Sequence, residues 1–167
     1  GIISNKGVVN KFVLRSTVSS DGVNGGEPGG NIRTAYLYNP SRIDLVSGSV
    51  ASFGSQLAGE AFAGSRLPLV ASFEFNGQEI TVINNHFSSK GGSSPILGVD
   101  QPFEDLQEDF NVNGGLDERI AQASANRDFI DGLLAADPDA NVVVLGDLNE
   151  FEFISPVDEI LGSSLTT

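Results

Sequence analysis

Three polar side chains each directly follow an apolar run, and their types suit phosphate chemistry. His86 ends QEITVINNH, and Asp147 and Asn149 end NVVVLGDLN. His86 is the only imidazole in the chain, so acid–base work near neutral pH falls to it or to a carboxylate with a shifted pKa. In an extended backbone Asp147 and Asn149, two apart, point to the same side with Leu148 turned away. A carboxylate beside a carboxamide can hold a divalent cation or a phosphate: Asp brings charge, and Asn donates to a phosphate oxygen without adding repulsion. The plainer reading has Asp147 capping a turn and Asn149 in a left-handed conformation. Arg66 in GSRLP can set a forked donor on a phosphate, or serve as an ordinary ion-pair partner. Lys90, in SSKGG just past His86, can offer a second cation among flexible glycines.

The elements that must position these groups are legible in part. LPLVASFEF and QEITVINNHF, residues 67–75 and 78–87, alternate apolar and polar around Asn76-Gly77, which predicts a β-hairpin. Leu69, Ala71, Phe73 and Phe75 share one face, as do Ile80, Val82 and Asn84. Ile120, Ala123, Ile130, Leu133 and Leu134 predict a helix over 117–136, bounded by Gly114-Gly115 and Asp137-Pro138. Its Arg119, Gln122 and Asn126 form a polar stripe read as a solvated face. NVVVLG, 141–146, reads as a strand buried on both faces. Residues 33–38 read as a strand ended by Asn39-Pro40, with 42–46 as its hairpin partner. A short strand is expected at 12–14, and a loop at 21–30. Residues 47–64 read as an irregular connection anchored by Phe53, Leu57 and Phe62. A long surface loop with a short helical turn is expected over 88–115. Strand, helix, strand in that order predicts an α/β domain whose functional groups gather at strand exits.

Composition narrows the partners. The 167 residues carry 22 acidic and 9 basic side chains, a formal charge of −13, so the surface repels nucleic acid and anionic membranes unless cations intervene. The absence of Cys excludes disulfides, thiolate metal sites and a cysteine nucleophile. No apolar run approaches the ~18 residues of a membrane span, and no export signal is visible. The absence of Met, at position 1 as elsewhere, points to an internal piece of a longer protein.

Taken together, HFSSKGG, the helix with its RIAQA, and VVVLGDLNEFEF resemble the endonuclease/exonuclease/phosphatase superfamily. GGEPGGNIRTAYLYNP and GSRLPLVASFEFNG are similar to its secreted bacterial nuclease branch, the whole resemblance covering about residues 21 to 162. It implies a deoxyribonuclease-like fold: α/β, part of a two-sheet β-sandwich flanked by helices, with residues 1–167 forming one piece of a catalytic domain. It also implies metal-assisted phosphodiester hydrolysis by an activated water, with Mg²⁺, Mn²⁺ or Ca²⁺ as cofactor and DNA as substrate, in an extracellular enzyme without membrane or obligate protein partner. On that resemblance His86 contacts the scissile phosphate and moves a proton, Asp147 and Asn149 position metal, water or phosphate, and Arg66 matches a substrate-contacting arginine; Lys90 joins it at the polyanion.

The departures are equally specific. The metal-binding Glu of the family has no match, since Glu27 lies in a Gly/Pro loop, and the closing Asp-His pair is missing. The expectation is therefore a central fragment with little nuclease activity by itself, to be completed by other segments of the parent chain. Two further readings remain open. One is a phosphatase or phospholipid phosphodiesterase on the same scaffold. The other is a Ca²⁺-binding module using the acidic 100–118 segment, which lacks the regular spacing of a calcium loop.

Overall fold

The Asn76-Gly77 turn organises the main sheet. Both residues have positive φ, 52° and 75°, as a type I′ turn requires, and glycine takes the second position without a Cβ penalty. The computed structural model describes residues 2–5, 8–11, 13–15, 26–27, 32–94 and 103–162. In chain order its strands are β1 (Ile2–Asn5), β2 (Val8–Lys11), β3 (Val13–Arg15), β4 (Tyr36–Tyr38), β5 (Asp44–Leu45), β6 (Ala51–Ser52), β7 (Leu69–Phe75) and β8 (Gln78–His86). Helices α1 (Phe103–Gln107) and α2 (Leu116–Ala136), strand β9 (Asn141–Asp147) and helix α3 (Ser155–Leu161) follow.

The predicted hairpin is β7 and β8, antiparallel from Phe75↔Gln78 to Leu69↔Asn84. The predicted helix is α2, and it carries the chain back so that β9 lies parallel to β8, from Ile80↔Asn141 to His86↔Asp147. β5 and β6 both pair with β7 on its other edge, completing a five-stranded sheet. Alternation sorts the sheet's faces. Val70 and Ile83 pack with Phe87 against Ala123 and Ile130 of α2 and Ile160 of α3. Leu69, Ala71 and Phe73 pack against Tyr36 on the opposite face. There the Tyr36 hydroxyl lies 2.7 Å from Leu69 O and 2.6 Å from Val82 O, and Asn84 donates to Ala35 O. Burial pushes the Tyr36 phenol pKa well up, so it stays a donor. β4 thus lies over the sheet as a second β layer, with α2 and α3 beneath, a mixed α/β architecture of the expected class.

Several expectations are corrected. Residues 42–46 do not pair with β4. β4 pairs with β3, Val13↔Tyr38, because burial of the Tyr36 ring holds it above the sheet, whereas β5 lies in the plane of the sheet along β7. β9 is covered on one face only: Val142 and Val144 pack toward the helices, while Val143 and Leu145 are each 43% exposed. Among the described residues the β4 layer covers β7 and β8 and stops short of β9. Leu57 is exposed rather than an anchor, while Phe62 is buried and Phe53 stacks on Phe129. The N-terminal segment contains the β1–β2 pair as well as β3, which includes Val13 and Leu14 of the expected 12–14 strand; Phe12 lies outside the described residues. Of the loop at 21–30 only Gly26 and Glu27 are described. The short helical turn in the long loop is α1. Helix α3 was not read from the sequence; Pro156 in its first turn and buried Ile160 are consistent with it.

The polar stripe is the largest correction. Arg119, Gln122 and Asn126 are not solvated; each is 0% exposed, on the face of α2 that meets the sheet. Arg119 and Gln122 are met by long-range hydrogen bonds, and Asn126 Nδ2 donates to Gln122 O one turn back.

Candidate active site

The parallel register brings His86 and Asp147 to the same rung at the open ends of β8 and β9. Gly146 makes that rung possible: at φ 125° it lies so close to β8 that a Cβ would collide with the carbonyl oxygen of Asn85. One step on, the Phe87 N–H donates to Asp147 O at 2.9 Å. His86 Nε2 is 3.8 Å from Asp147 Oδ2. That exceeds hydrogen-bonding distance and fits a pair sharing a ligand or a field.

Asp147 and Asn149 do not share a side of an extended strand, because β9 ends at Asp147 and Asn149 adopts φ 52°. Asp147 Oδ1 accepts the Asn149 N–H at 2.9 Å, and Asn149 Nδ2 donates to Phe87 O at 2.9 Å. The turn reading therefore holds: one carboxylate oxygen closes the turn, and Oδ2 faces His86 from a largely exposed side chain. Beside Asp147 and Asn149 opens a cleft of about 520 Å³, also lined by Lys90, Glu150, Phe151 and Glu152. His86 adjoins Asp147 but is outside that lining.

Two guanidinium groups hold the exit of β8. Arg66, buried, donates from Nε to His86 O at 3.2 Å and from Nη2 to Phe87 O at 3.0 Å, with Nη1 3.3 Å from Glu27. Arg119 continues the series from the other side, Nη1 donating to Ser88 O at 3.3 Å and to Ser89 O at 3.2 Å. Four consecutive carbonyls, 86 to 89, are thus bound by arginine. Arg119 also donates to Gly114 O, to Asn113 Oδ1, and through Nε and Nη2 to Glu150 Oε2 at 3.1 and 2.9 Å. Gln122 adds two bonds to Ser88, accepting from its N–H and donating to its hydroxyl. A guanidinium offers five donors in a rigid fork, and here both forks bind the protein's own chain.

Lys90 is held within the same network. Its ammonium pairs with Glu150, donates to Gln107 Oε1 at 2.6 Å, and lies 4.8 Å from the centre of the Phe151 ring. Glu150 was not singled out in the sequence, though it directly follows Asp-Leu-Asn; its side chain is fully buried. Burial alone raises its pKa, but hydrogen bonds from Lys90, Asn113 and the Phe151 N–H, with the charge of Arg119, outweigh that and hold the carboxyl below its usual range. Glu27, set aside on its sequence context, reaches the site through its ion pair with Arg66. Burial and the Arg66 charge lower the His86 pKa, against the opposing fields of Asp147 and Glu27, which favours the neutral imidazole.

Among the described residues no cluster of three or more His, Cys, Asp or Glu side chains forms a closed metal cage. Mg²⁺ keeps several waters and binds through one or two carboxylates plus substrate phosphates. The largely exposed Asp147 carboxylate would suit that mode of binding.

No family model matches the sequence, and no curated protein matches it. Solved structures do. Truncated TDP2 from Caenorhabditis elegans superimposes with a TM-score of 0.51 at 18% identity, over 84% of this chain and 41% of that one. The human Nocturnin catalytic domain with bound sulfate gives 0.54 at 13% identity, over 92% and 48%. D. rerio TDP2 in complex with single-strand DNA product gives 0.51 at 17% identity, over 87% and 42%. The chain shares the fold of these solved structures. The chain spans less than half the length of each of these three structures.

Proposed function

We propose that this chain is the central part of a metal-dependent phosphodiesterase, an extracellular endonuclease of the secreted bacterial nuclease type that hydrolyses DNA. The observation that carries the reading is the shared rung of His86 and Asp147 at the exits of two parallel strands, with Asn149 turned back beside them. A neutral imidazole, an accessible carboxylate and a carboxamide together recognise a phosphate and handle a proton.

In the hydrolysis, the oxygen of a water bonds to phosphorus while the bond from phosphorus to the leaving oxygen breaks. His86 hydrogen-bonds a phosphoryl oxygen and exchanges the proton, and the fields of Asp147 and Glu27 favour the imidazolium that forms. Asp147 and Asn149 would hold the divalent cation, Mg²⁺ in the first instance. When bound, it supplies charge neutralisation at the phosphate and the leaving oxygen. It also lets a chain of net charge −13 approach DNA. Arg66 and Lys90, read from the sequence as substrate contacts, act here by position: Arg66 fixes the His86 and Phe87 carbonyls, and Lys90 fixes Glu150 below the cleft.

Purified full-length parent protein carrying His86→Ala should lose most plasmid cleavage, by about 10²–10⁴-fold, while keeping its melting temperature. Undiminished cleavage would remove His86 from the site. Running DNA, sphingomyelin and inositol phosphates in parallel tests the substrate class, and faster turnover of either lipid-derived substrate would replace the nuclease reading.

A further inference from the structure

The backbone pairing of β8 with β9 stops just past the rung of His86 and Asp147. The Phe87 N–H still bonds to Asp147 O, but the Ser88 N–H turns away to Gln122 Oε1. From there side chains hold the two exits together. Asn149 Nδ2 reaches Phe87 O, Arg119 joins Ser88 O and Ser89 O to Glu150, and Lys90 pairs with Glu150. Residues 86–90 are thereby tied step by step to residues 147–150, and two of these ties end on the one carboxylate of Glu150.

That position demands a carboxylate. Oε2 accepts from Asn113 Nδ2 at 2.7 Å and from Arg119 Nε and Nη2 at 3.1 and 2.9 Å. Oε1 accepts from the Phe151 N–H at 3.1 Å and from the Lys90 ammonium. Donors thus converge on both oxygens of a fully buried side chain. An amide of the same shape has a single acceptor oxygen, so in either orientation its NH₂ would face donors. A buried ion pair is weak evidence for stability, since packed apolar side chains often do as well; what its hydrogen bonds enforce is direction. Direction matters here because Glu150 directly follows Asn149, which sits in the left-handed region at φ 52° with its N–H on Asp147 Oδ1. We propose that Glu150 is a positioning residue for this site: by anchoring the outgoing end of the 147–149 turn to residues 88–90 through Arg119 and Lys90, it holds Asp147 and Asn149 in register with His86. This goes beyond the phosphodiesterase reading and rests on it. With its side chain buried, Glu150 meets no substrate, so its loss displaces the turn without removing a binding contact.

The test uses the full-length parent protein with labelled duplex DNA and Mg²⁺. Glu150→Gln should lower kcat by about 10²-fold, the effect of a displacement near 1 Å, with KM within about twofold of the parent's. Ile130→Val, which trims the buried core further along α2, is the control for lost stability and should keep the parental kcat below its melting temperature. Lys90→Met breaks one tie and leaves Arg119 in place, so kcat should fall by less than in Glu150→Gln. An unchanged kcat in Glu150→Gln would overturn the proposal, as would a rise in KM at unchanged kcat in Lys90→Met, which would make Lys90 a substrate contact. A crystal structure of Glu150→Gln reads the position without activity: the contact from Asn149 Nδ2 to Phe87 O should open from 2.9 Å to beyond hydrogen-bonding distance. A contact of unchanged length would overturn the proposal too. Should Glu150→Gln fail to fold, the same two readings on Lys90→Met decide. A parent protein that cleaves no phosphodiester would sink the hydrolase reading, and an opened contact would then still assign the turn's position to Glu150.

Discussion

Arg66 and Arg119 perform the same local task on opposite sides of one strand exit, yet their settings differ. Each satisfies two successive carbonyls of residues 86–89, but Arg66 pairs with Glu27, which water reaches, whereas Arg119 pairs with Glu150 where both side chains are fully buried. Burial lowers the Arg66 pKa while the fields of Glu27 and Asp147 raise it, and the guanidinium remains charged at neutral pH. The difference teaches that the two halves of the exit respond unequally to damage. The Arg66 side can recruit water when a bond is lost. The Arg119 side, joining α2, the 88–89 backbone, Asn113 and the turn after β9, cannot.

That contrast is broken most severely at Arg119. Arg119→Met removes the fully buried of the two cations that pair with Glu150, leaving Lys90, and should cost about 3–5 kcal/mol in denaturant unfolding. Adding Glu150→Leu should recover part of the loss, because removal of both charges also removes the uncompensated one; a double variant no better than the single would show that the pair does not act as a unit. Arg66→Lys keeps the charge but loses the fork onto the His86 and Phe87 carbonyls, and should cost about 1–3 kcal/mol. With cleavage as the readout, kcat should fall more than KM rises, since it is His86 that loses its support. An unchanged kcat would detach Arg66 from the site.

Acid sharpens the comparison with a smaller effect. Glu150 binds its proton less readily folded than unfolded, so its contribution to stability is complete above the ordinary glutamate pKa of 4.5 and fades as pH falls through the lower folded value. The melting temperature of the wild type should therefore drop more steeply below pH 4.5 than that of Glu150→Gln; parallel curves would refute this. The smallest effect belongs to Glu27→Gln, which removes a partly solvated pair and should change stability by under about 1 kcal/mol. It should also lower the His86 pKa further, because the field of Glu27 raises it, and NMR titration of the single imidazole would follow that.

Local signals in the sequence carried most of the sheet. Asn76-Gly77 specified the hairpin, apolar spacing specified α2, and the valine run specified β9, since in each case the cause lies within a few residues. That His86 and Asp147 lie together was legible because both stand at strand exits, and the parallel register brings those exits to one rung. What failed depends on distant partners. A polar stripe at 119, 122 and 126 looks the same whether it meets water or buried carbonyls, and what Arg119 and Gln122 meet here is 31 to 34 residues away in each direction. Arg66 and Lys90 showed cationic character but not their targets, because nothing in GSRLP or SSKGG reveals whether a cation faces a ligand or its own backbone. Residues 42–46 failed for a similar reason: alternation marked a strand without choosing its layer.

Gly146 bears on how this protein could be diversified. With the Asn85 carbonyl occupying the space of its missing side chain, a saturation library at this codon should return functional clones of the parental amino acid alone. Neighbouring Val143 and Leu145, open to solvent on one face, should tolerate broad exchange. A single methyl group at 146 would pry the two strands apart at the rung where their two chemical groups meet, so selection for activity and selection for correct strand pairing become the same experiment there.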